Sequence, residues 1–124
     1  MKHVSFDFDG TLEFPEVQAY AAELMKREDV TVWVTTRRFS NKPGRKNLDL
    51  YKVTKKLGIP NERITFCNLL YKFEIISNKP FIWHLDDDPE DLNALSKGSN
   101  GRIKCIQFMS GGKWAGWCEK FLNQ

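Results

Sequence analysis

Five short apolar stretches, each running into polar or acidic residues and separated by helix-length segments, constrain this chain more than anything else in it. His3 to Phe8 reads as an aromatic-rich strand that stops at Gly10, where a residue free to take unusual backbone angles lets the chain turn. Val30 to Thr35 is β-branched and apolar, as a strand buried on both faces would be. Ile64 to Cys67 predicts a third strand, Phe81 to Leu85 a fourth that runs straight into acids, and Arg102 to Phe108 a fifth. Between them, Val17, Tyr20, Ala21, Leu24 and Met25 recur at helical spacing, so Pro15 to Arg27 should be an amphipathic helix with Pro15 in its first turn. A second helix is predicted from about Asn47 to Leu57, with Leu50, Val53 and Leu57 inward and Gly58 and Pro60 marking its end. Tyr71 to Ser77 predicts a short helix. Asp88 as N-cap before Pro89 opens another that reaches about Leu95. Trp114, Trp117, Cys118, Phe121 and Leu122 form an apolar stripe on a closing helix and are expected in the core.

Alternation of strands and helices from end to end is the pattern of a parallel sheet covered on both faces. The expected fold class is therefore α/β: a three-layer α/β/α sandwich on a five-stranded parallel, Rossmann-like sheet. At 124 residues the chain suits one domain over 1–124, and its 41% hydrophobic content belongs to an ordered protein. No window reaches the roughly 18 uncharged residues of a membrane span, and no apolar stretch precedes the first acids as in a secretion signal. Cys67, Cys105 and Cys118 are an odd set without Cys-x-x-Cys spacing, which reads as reduced thiols, mostly buried, in a cytoplasmic protein. The net charge of +3 says little, but its distribution says more. Arg37, Arg38, Lys42, Arg45, Lys46, Lys52, Lys55 and Lys56 face only Asp49 between residues 37 and 56, whereas from Asp86 to Asp91 every residue except Pro89 is acidic.

Open parallel sheets bind ligands beyond the carboxyl ends of their strands, so chemistry is sought just after each strand. The first strand ends in Asp7-Phe8-Asp9-Gly10-Thr11, with two carboxylates two residues apart on one side of a strand. Such a pair can divide labour, one as nucleophile on phosphorus and the other as general acid and base. Their mutual repulsion, and that of an anionic substrate, then calls for a hard divalent cation such as magnesium, which favours carboxylates, carbonyls and waters. The second strand ends in Thr35-Thr36-Arg37, a hydroxyl and a guanidinium able to receive phosphate oxygens. Lys72 opens the short helix after the third strand and offers a compact cation for phosphate. Asp86, Asp87, Asp88, Glu90 and Asp91 follow the fourth, where carboxylates can complete a metal site and cap the next helix.

These four stretches, in this order from Asp7 to Asp91, resemble the haloacid dehalogenase-like phosphatase superfamily. Asp7-Phe8-Asp9-Gly10-Thr11-Leu12 resembles its first motif, which implies Asp7 as nucleophile, Asp9 as acid-base residue and the Asp9 carbonyl as a metal ligand. Thr35 resembles the phosphate-binding hydroxyl of the second motif, with Arg37 close behind, and Lys72 the lysine of the third. Thr36 stands where many members have glycine. The acidic run resembles the fourth motif and implies Asp87 as the favoured direct magnesium ligand, with Asp86 and Asp91 in support. The implied reaction is hydrolysis of phosphate monoesters through an aspartyl-phosphate. Members that enclose small molecules insert a cap domain, and this chain has no room for one: 25 residues separate Asp9 from Thr35 and 36 separate Thr35 from Lys72. By resemblance an uncapped site suits a bulky substrate such as a protein or nucleic-acid end, or takes its lid from a homo-oligomer.

Plainer readings stand beside these. Asp7 and Asp9 taken alone are turn residues, the acidic run a solvated helix start, Lys72 a surface lysine and the basic segment 37–56 a solvated helix face, with nucleic-acid contact the sharper alternative. His3 and His84 read as structural. Ser110-Gly111-Gly112-Lys113 lacks both the first glycine and the Ser or Thr of a P-loop, and Gln18 occupies the position a calcium loop reserves for glutamate. A phosphorylation-switch receiver domain would need its acidic pair after the first strand, its phospho-acceptor after the third and its lysine after the fifth, whereas here Lys72 precedes the acidic run. A binding module without turnover is the remaining rival, expected to hold oligonucleotides in a salt-dependent way.

Overall fold

The computed structural model describes residues 1–40 and 46–124, so Lys42 and Arg45 of the basic segment lie outside the described residues. The elements follow the order read from the sequence: β1 (Lys2–Phe6), α1 (Pro15–Met25), β2 (Val30–Thr36), α2 (Leu48–Leu57), β3 (Ile64–Phe66), α3 (Lys72–Ile76), β4 (Phe81–Asp86), α4 (Pro89–Gly98), β5 (Lys104–Gln107) and α5 (Trp114–Leu122). Helix ends carry the expected chemistry. Gly58, at φ 82, ends α2 in the left-handed conformation, and Asp88 accepts from the Glu90 N–H ahead of Pro89 to open α4.

All strand pairs are parallel, and the spatial order is β3-β2-β1-β4-β5. The chain thus steps outward from β1 through β2 to β3, then crosses back to place β4 on the other side of β1. The loops after β1 and β4 leave the sheet in opposite directions, and that divergence opens a crevice at their carboxyl ends.

Two apolar layers sandwich the sheet. Val4, Phe6, Val32, Val34, Trp83 and Leu85 pack against Val17, Ala21 and Leu24 of α1, Leu50 of α2, and Trp114, Cys118 and Leu122 of α5. On the other face Ile76 of α3 and Leu95 of α4 enclose Phe81 and Ile103 beside Trp33. His3 pairs with Phe81 and Val4 with Trp83, so Ile82 is an extra residue, and this bulge lets Phe81 and Trp83 serve opposite layers.

The closing helix departs from expectation at one position. Trp114, Cys118 and Leu122 are buried and Phe121 is partly so, but Trp117 is 49% exposed with the Lys120 ammonium 4.8 Å from its ring centre. At about 100° per residue, Trp117 falls about 100° from the middle of the arc that the three buried residues define, too far round to reach the core. Cys67 and Cys118 are buried, Cys105 is partly so, and all three are free thiols. Among the described residues no helix is long and apolar enough to cross a membrane.

Candidate active site

Asp7 is the first residue after β1, and its neighbours fix it tightly. Its N–H donates to the Leu85 carbonyl of β4 at 2.9 Å, its carbonyl accepts from Leu12 at 3.1 Å, and its Oδ2 accepts from the Thr11 hydroxyl at 3.2 Å. The turn over Phe8–Leu12 is sharp because Phe8 and Leu12 bury their side chains while Gly10, at φ 77, reverses the backbone between them. Gly10 is required for a second reason. A Cβ built there would overlap the Asp87 carboxylate, so the absence of a side chain is what lets the loops after β1 and β4 close on each other.

Lys72 enters from the far side. The loop before it is stapled to the end of β2: Cys67 N–H donates to the Thr36 carbonyl, Asn68 N–H to Arg38 and Leu69 N–H to Arg37. Asn68 and Leu69 take φ of 52 and 68 to make that turn, conformations that cost a non-glycine residue of order 1 kcal/mol each. The Glu74 carboxylate then accepts the Tyr71 N–H while the Glu74 N–H donates to the Tyr71 carbonyl, both at 3.0 Å, and α3 starts at Lys72. Its buried ammonium lies 2.8 Å from Asp7 Oδ1, 2.5 Å from Asp86 Oδ2 and 3.5 Å from Asp91 Oδ2. Acids from two distant stretches of the chain thus share one cation.

Behind them runs a buried polar chain. His84 Nε2 is 3.0 Å from Asp86 Oδ2, His84 Nδ1 is 2.9 Å from Ser5 Oγ, and Ser5 Oγ is 2.8 Å from Thr35 Oγ1. Asp86 Oδ1 accepts the Asp88 N–H at 3.1 Å, so both of its oxygens are engaged. Burial drives His84 below its ordinary pKa despite the neighbouring Asp86, which leaves the ring neutral.

The ionisation pattern follows from who holds which partner. Burial alone would lower Lys72, but the Asp7 and Asp86 carboxylates outweigh it and hold the ammonium charged. Burial likewise pushes against an ionised Asp86, yet the His84 and Lys72 hydrogen bonds overcome it and keep this carboxyl well below its usual range. Asp7 has less support. Its burial is only partly offset by Lys72 and is reinforced by the Asp86 charge, and its carboxyl is pushed up to about 9. Asp87 is also raised, by burial and then by Asp86.

Oxygens of Asp7, Asp86 and Asp87 lie within 4.8 Å of one another. All are hard donors, and that separation can be spanned by an ion bonding oxygen at about 2.0–2.6 Å, which suits a divalent cation without selecting magnesium over others. Two further observations fit a cation here. Asp91 Oδ1, on a carboxylate 3.5 Å from the same ammonium, is buried with no hydrogen-bond partner among the described residues, and burial drives the Asp7 carboxyl toward its neutral form despite Lys72 beside it, a cost that further positive charge would relieve. Asp86 already accepts three hydrogen bonds and Asp7 two, so Asp7 and Asp87 have the greater free coordination capacity, with Asp86 holding Lys72 beside them.

Asp9 stands apart from this buried cluster, its side chain 53% exposed. Arg38 grips it with a two-point fork, Nε to Oδ2 at 2.9 Å and Nη2 to Oδ1 at 2.7 Å, and grips Asp49 of α2 with two more bonds at 2.8 Å. The guanidinium rests over the Phe8 ring at 5.0 Å. These bonds raise Arg38 further and lower Asp49 to about 2. Arg37 is directed elsewhere: it donates to the Leu69 and Leu70 carbonyls and lies 4.7 Å over the Tyr71 ring, bracing the loop that delivers Lys72. Thr35 is fully buried, with its hydroxyl engaged by Ser5, and Thr36 accepts the Arg38 N–H at 3.2 Å.

The structure therefore brings Asp7, Lys72, Asp86, Asp87 and Asp91 together, sets Asp9 at the rim and gives Thr35 and Arg37 partners within the protein. From the sequence His84 reads as structural, Thr11 only as part of the first motif and Arg38 only as one cation of the basic segment, while Ser5 draws no reading. Ser5 and His84 were signalled, since each lies two residues before a site aspartate and a strand returns to the same face every second residue. Arg38 was not distinguishable from the other cations of its segment. Comparison of the chain with protein-family models, with curated proteins and with solved structures finds no match, so its function is argued from this geometry.

Proposed function

We propose that this protein is a divalent-cation-dependent phosphatase of the haloacid dehalogenase-like type, hydrolysing phosphate monoesters through an aspartyl-phosphate on Asp7. The observation that supports it most is the convergence on one ammonium of carboxylates from the ends of β1 and β4, with Lys72 at 2.8 Å from Asp7 and 2.5 Å from Asp86. A purely structural cluster gains little from this composition. Buried ion groups are commonly replaceable by apolar side chains at no cost, whereas a phosphoryl site needs a nucleophile, a cation and metal-holding oxygens side by side.

In the proposed reaction an Asp7 carboxylate oxygen forms a bond to phosphorus while the ester P–O bond breaks, and the departing oxygen takes a proton from Asp9. A water then gives its proton to Asp9 as its oxygen bonds phosphorus and the acyl-phosphate P–O bond to Asp7 breaks, releasing inorganic phosphate. Lys72 offsets charge on the phosphoryl oxygens. Magnesium held by Asp7 and Asp87, with Asp86 behind them, would neutralise the cluster and polarise the phosphoryl group. Arg38 orients Asp9 and gives up one of its two bonds whenever that oxygen carries a proton. The rim position of Asp9 and the exposed Lys52, Lys55 and Lys56 on α2 favour a substrate too large to be enclosed, a protein or nucleic-acid end.

Purified protein should release phosphate from an aryl phosphate in the presence of magnesium, lose that activity with EDTA and regain it when magnesium is restored. A screen of nucleotides, sugar phosphates, phosphopeptides and end-phosphorylated oligonucleotides then ranks substrates. Absence of release from every class, or release indifferent to EDTA, would refute the proposal.

A further inference from the structure

Behind Asp86 runs a buried chain whose outer end is fixed by chemistry: the Lys72 ammonium can only donate, so Asp86 Oδ2 accepts from it, and His84 Nε2, 3.0 Å from the same oxygen, is placed to donate to it as well. His84 Nδ1 lies 2.9 Å from Ser5 Oγ, and Ser5 Oγ 2.8 Å from Thr35 Oγ1. Every polar atom along this path is buried: Ser5, Thr35, His84 and Asp86 are all at most 1% exposed.

From this arrangement we propose that His84 is a positioning residue for the proposed phosphatase reaction, donating to Asp86 and so fixing Asp86 and through it Lys72, with Ser5 completing the hydrogen bonds of the ring. Lys72 has a flexible four-carbon stem and three donors, so one hydrogen bond to Asp7 would not fix where its ammonium stands. Asp86 supplies the second point, and it is itself pinned on one oxygen by the Asp88 N–H and on the other by His84. Asp7, Lys72, Asp86 and His84 form one continuous line from the proposed nucleophile into the β-sheet, where β4 places His84 and Asp86 on one face. The inference rests on the phosphatase reading for its kinetic consequences but not for its geometry.

Two substitutions separate positioning from bulk. His84→Gln can place an amide N–H near the old Nε2 and keep the bond to Asp86, whereas His84→Asn reaches only the Nδ1 position and keeps Ser5 alone. Both exchange a buried ring for a buried amide, so a role limited to packing predicts similar losses. Positioning predicts that kcat for an aryl phosphate falls about 10- to 100-fold in His84→Asn, as losses of outer hydrogen-bond partners commonly do, with KM within about threefold, while His84→Gln stays within about fivefold of wild type. Equal kcat losses in the two variants would overturn the proposal. A second readout needs no turnover. In proton–nitrogen NMR spectra His84 Nε2 should appear protonated, and the Lys72 ammonium should show a slowly exchanging signal that persists in His84→Gln and is lost in His84→Asn. An unprotonated Nε2, or a Lys72 signal unchanged in both variants, would overturn the positioning role even in a protein that hydrolyses nothing, whereas the expected spectra without activity would refute only the phosphatase reading.

Discussion

Asp7→Asn should abolish phosphate release and, in metal-free buffer at pH 8, unfold at a higher temperature than wild type. The two effects come from one cause. An amide cannot attack phosphorus to form an acyl-phosphate, so the proposed reaction loses its first step outright. The same carboxyl is a liability to the folded state, because its pKa rises from 3.8 to about 9 on folding. A carboxyl raised in this way contributes stability that is present below about pH 4 and lost as pH climbs toward 9, since the folded form retains a proton the unfolded chain has given up. Asparagine is neutral throughout and removes that decline. The gain should be on the order of 5 °C at pH 8 and should vanish near pH 4, read by thermal unfolding across the pH range. Magnesium should raise the unfolding temperature of wild type and leave the variant nearly unmoved. A variant less stable than wild type at pH 8 without metal would contradict the assignment of the raised carboxyl to Asp7.

Lys72→Met should act in the opposite direction on stability and in the same direction on activity. Methionine matches the length of the stem but leaves Asp86 and Asp91, each at most 5% exposed, without a counter-charge. Stranding buried carboxylates in this way costs about 3–5 kcal/mol, which in a chain of this size is a fall on the order of 10–20 °C in unfolding temperature at pH 7. In wild type, Asp86 is held below its ordinary pKa, so its stabilising contribution is present above about pH 4 and is lost as pH falls through the lowered value. The gap between variant and wild type should therefore be widest near neutrality and narrow below pH 4, where protonation relieves the stranded acids. Phosphate release should drop by about 100-fold or more, as it does when a preorganised charge is removed from a transition state. Lys72→Arg should not rescue either property, because a planar five-donor fork cannot occupy a pocket shaped for a point charge between Asp7 and Asp86. Wild-type stability of Lys72→Met at pH 7 would contradict the role given to this ammonium.

The layer architecture was readable because each strand reports itself locally: a β-branched run such as Val30 to Thr35 has few other ways to be buried. The order of strands across the sheet is not local, yet it is what makes the loops after β1 and β4 diverge. The acids were readable as a group for the same reason the strands were, since each follows directly on an apolar run. Partner choice was not. Nothing in Thr35-Thr36-Arg37-Arg38 says that Thr35 turns inward to Ser5, that Arg37 braces the loop before Lys72 or that Arg38 reaches Asp9 and Asp49. Those outcomes depend on side chains more than ten residues away. Trp117 marks another limit: a spacing of three from Trp114 looks helical, but only the position of the neighbouring layer decides which side of the arc is covered.

Covalent attack by Asp7 is the step on which the proposed reaction depends. Acid-quenched turnover of an ester radiolabelled in its phosphoryl group, followed by peptide mapping, tests it most directly. The label should be found on the peptide containing Asp7, be released by hydroxylamine as acyl-phosphates are, and be absent from Asp7→Asn. Phosphate release by wild type with no label on the protein, and undiminished release by Asp7→Asn, would contradict it.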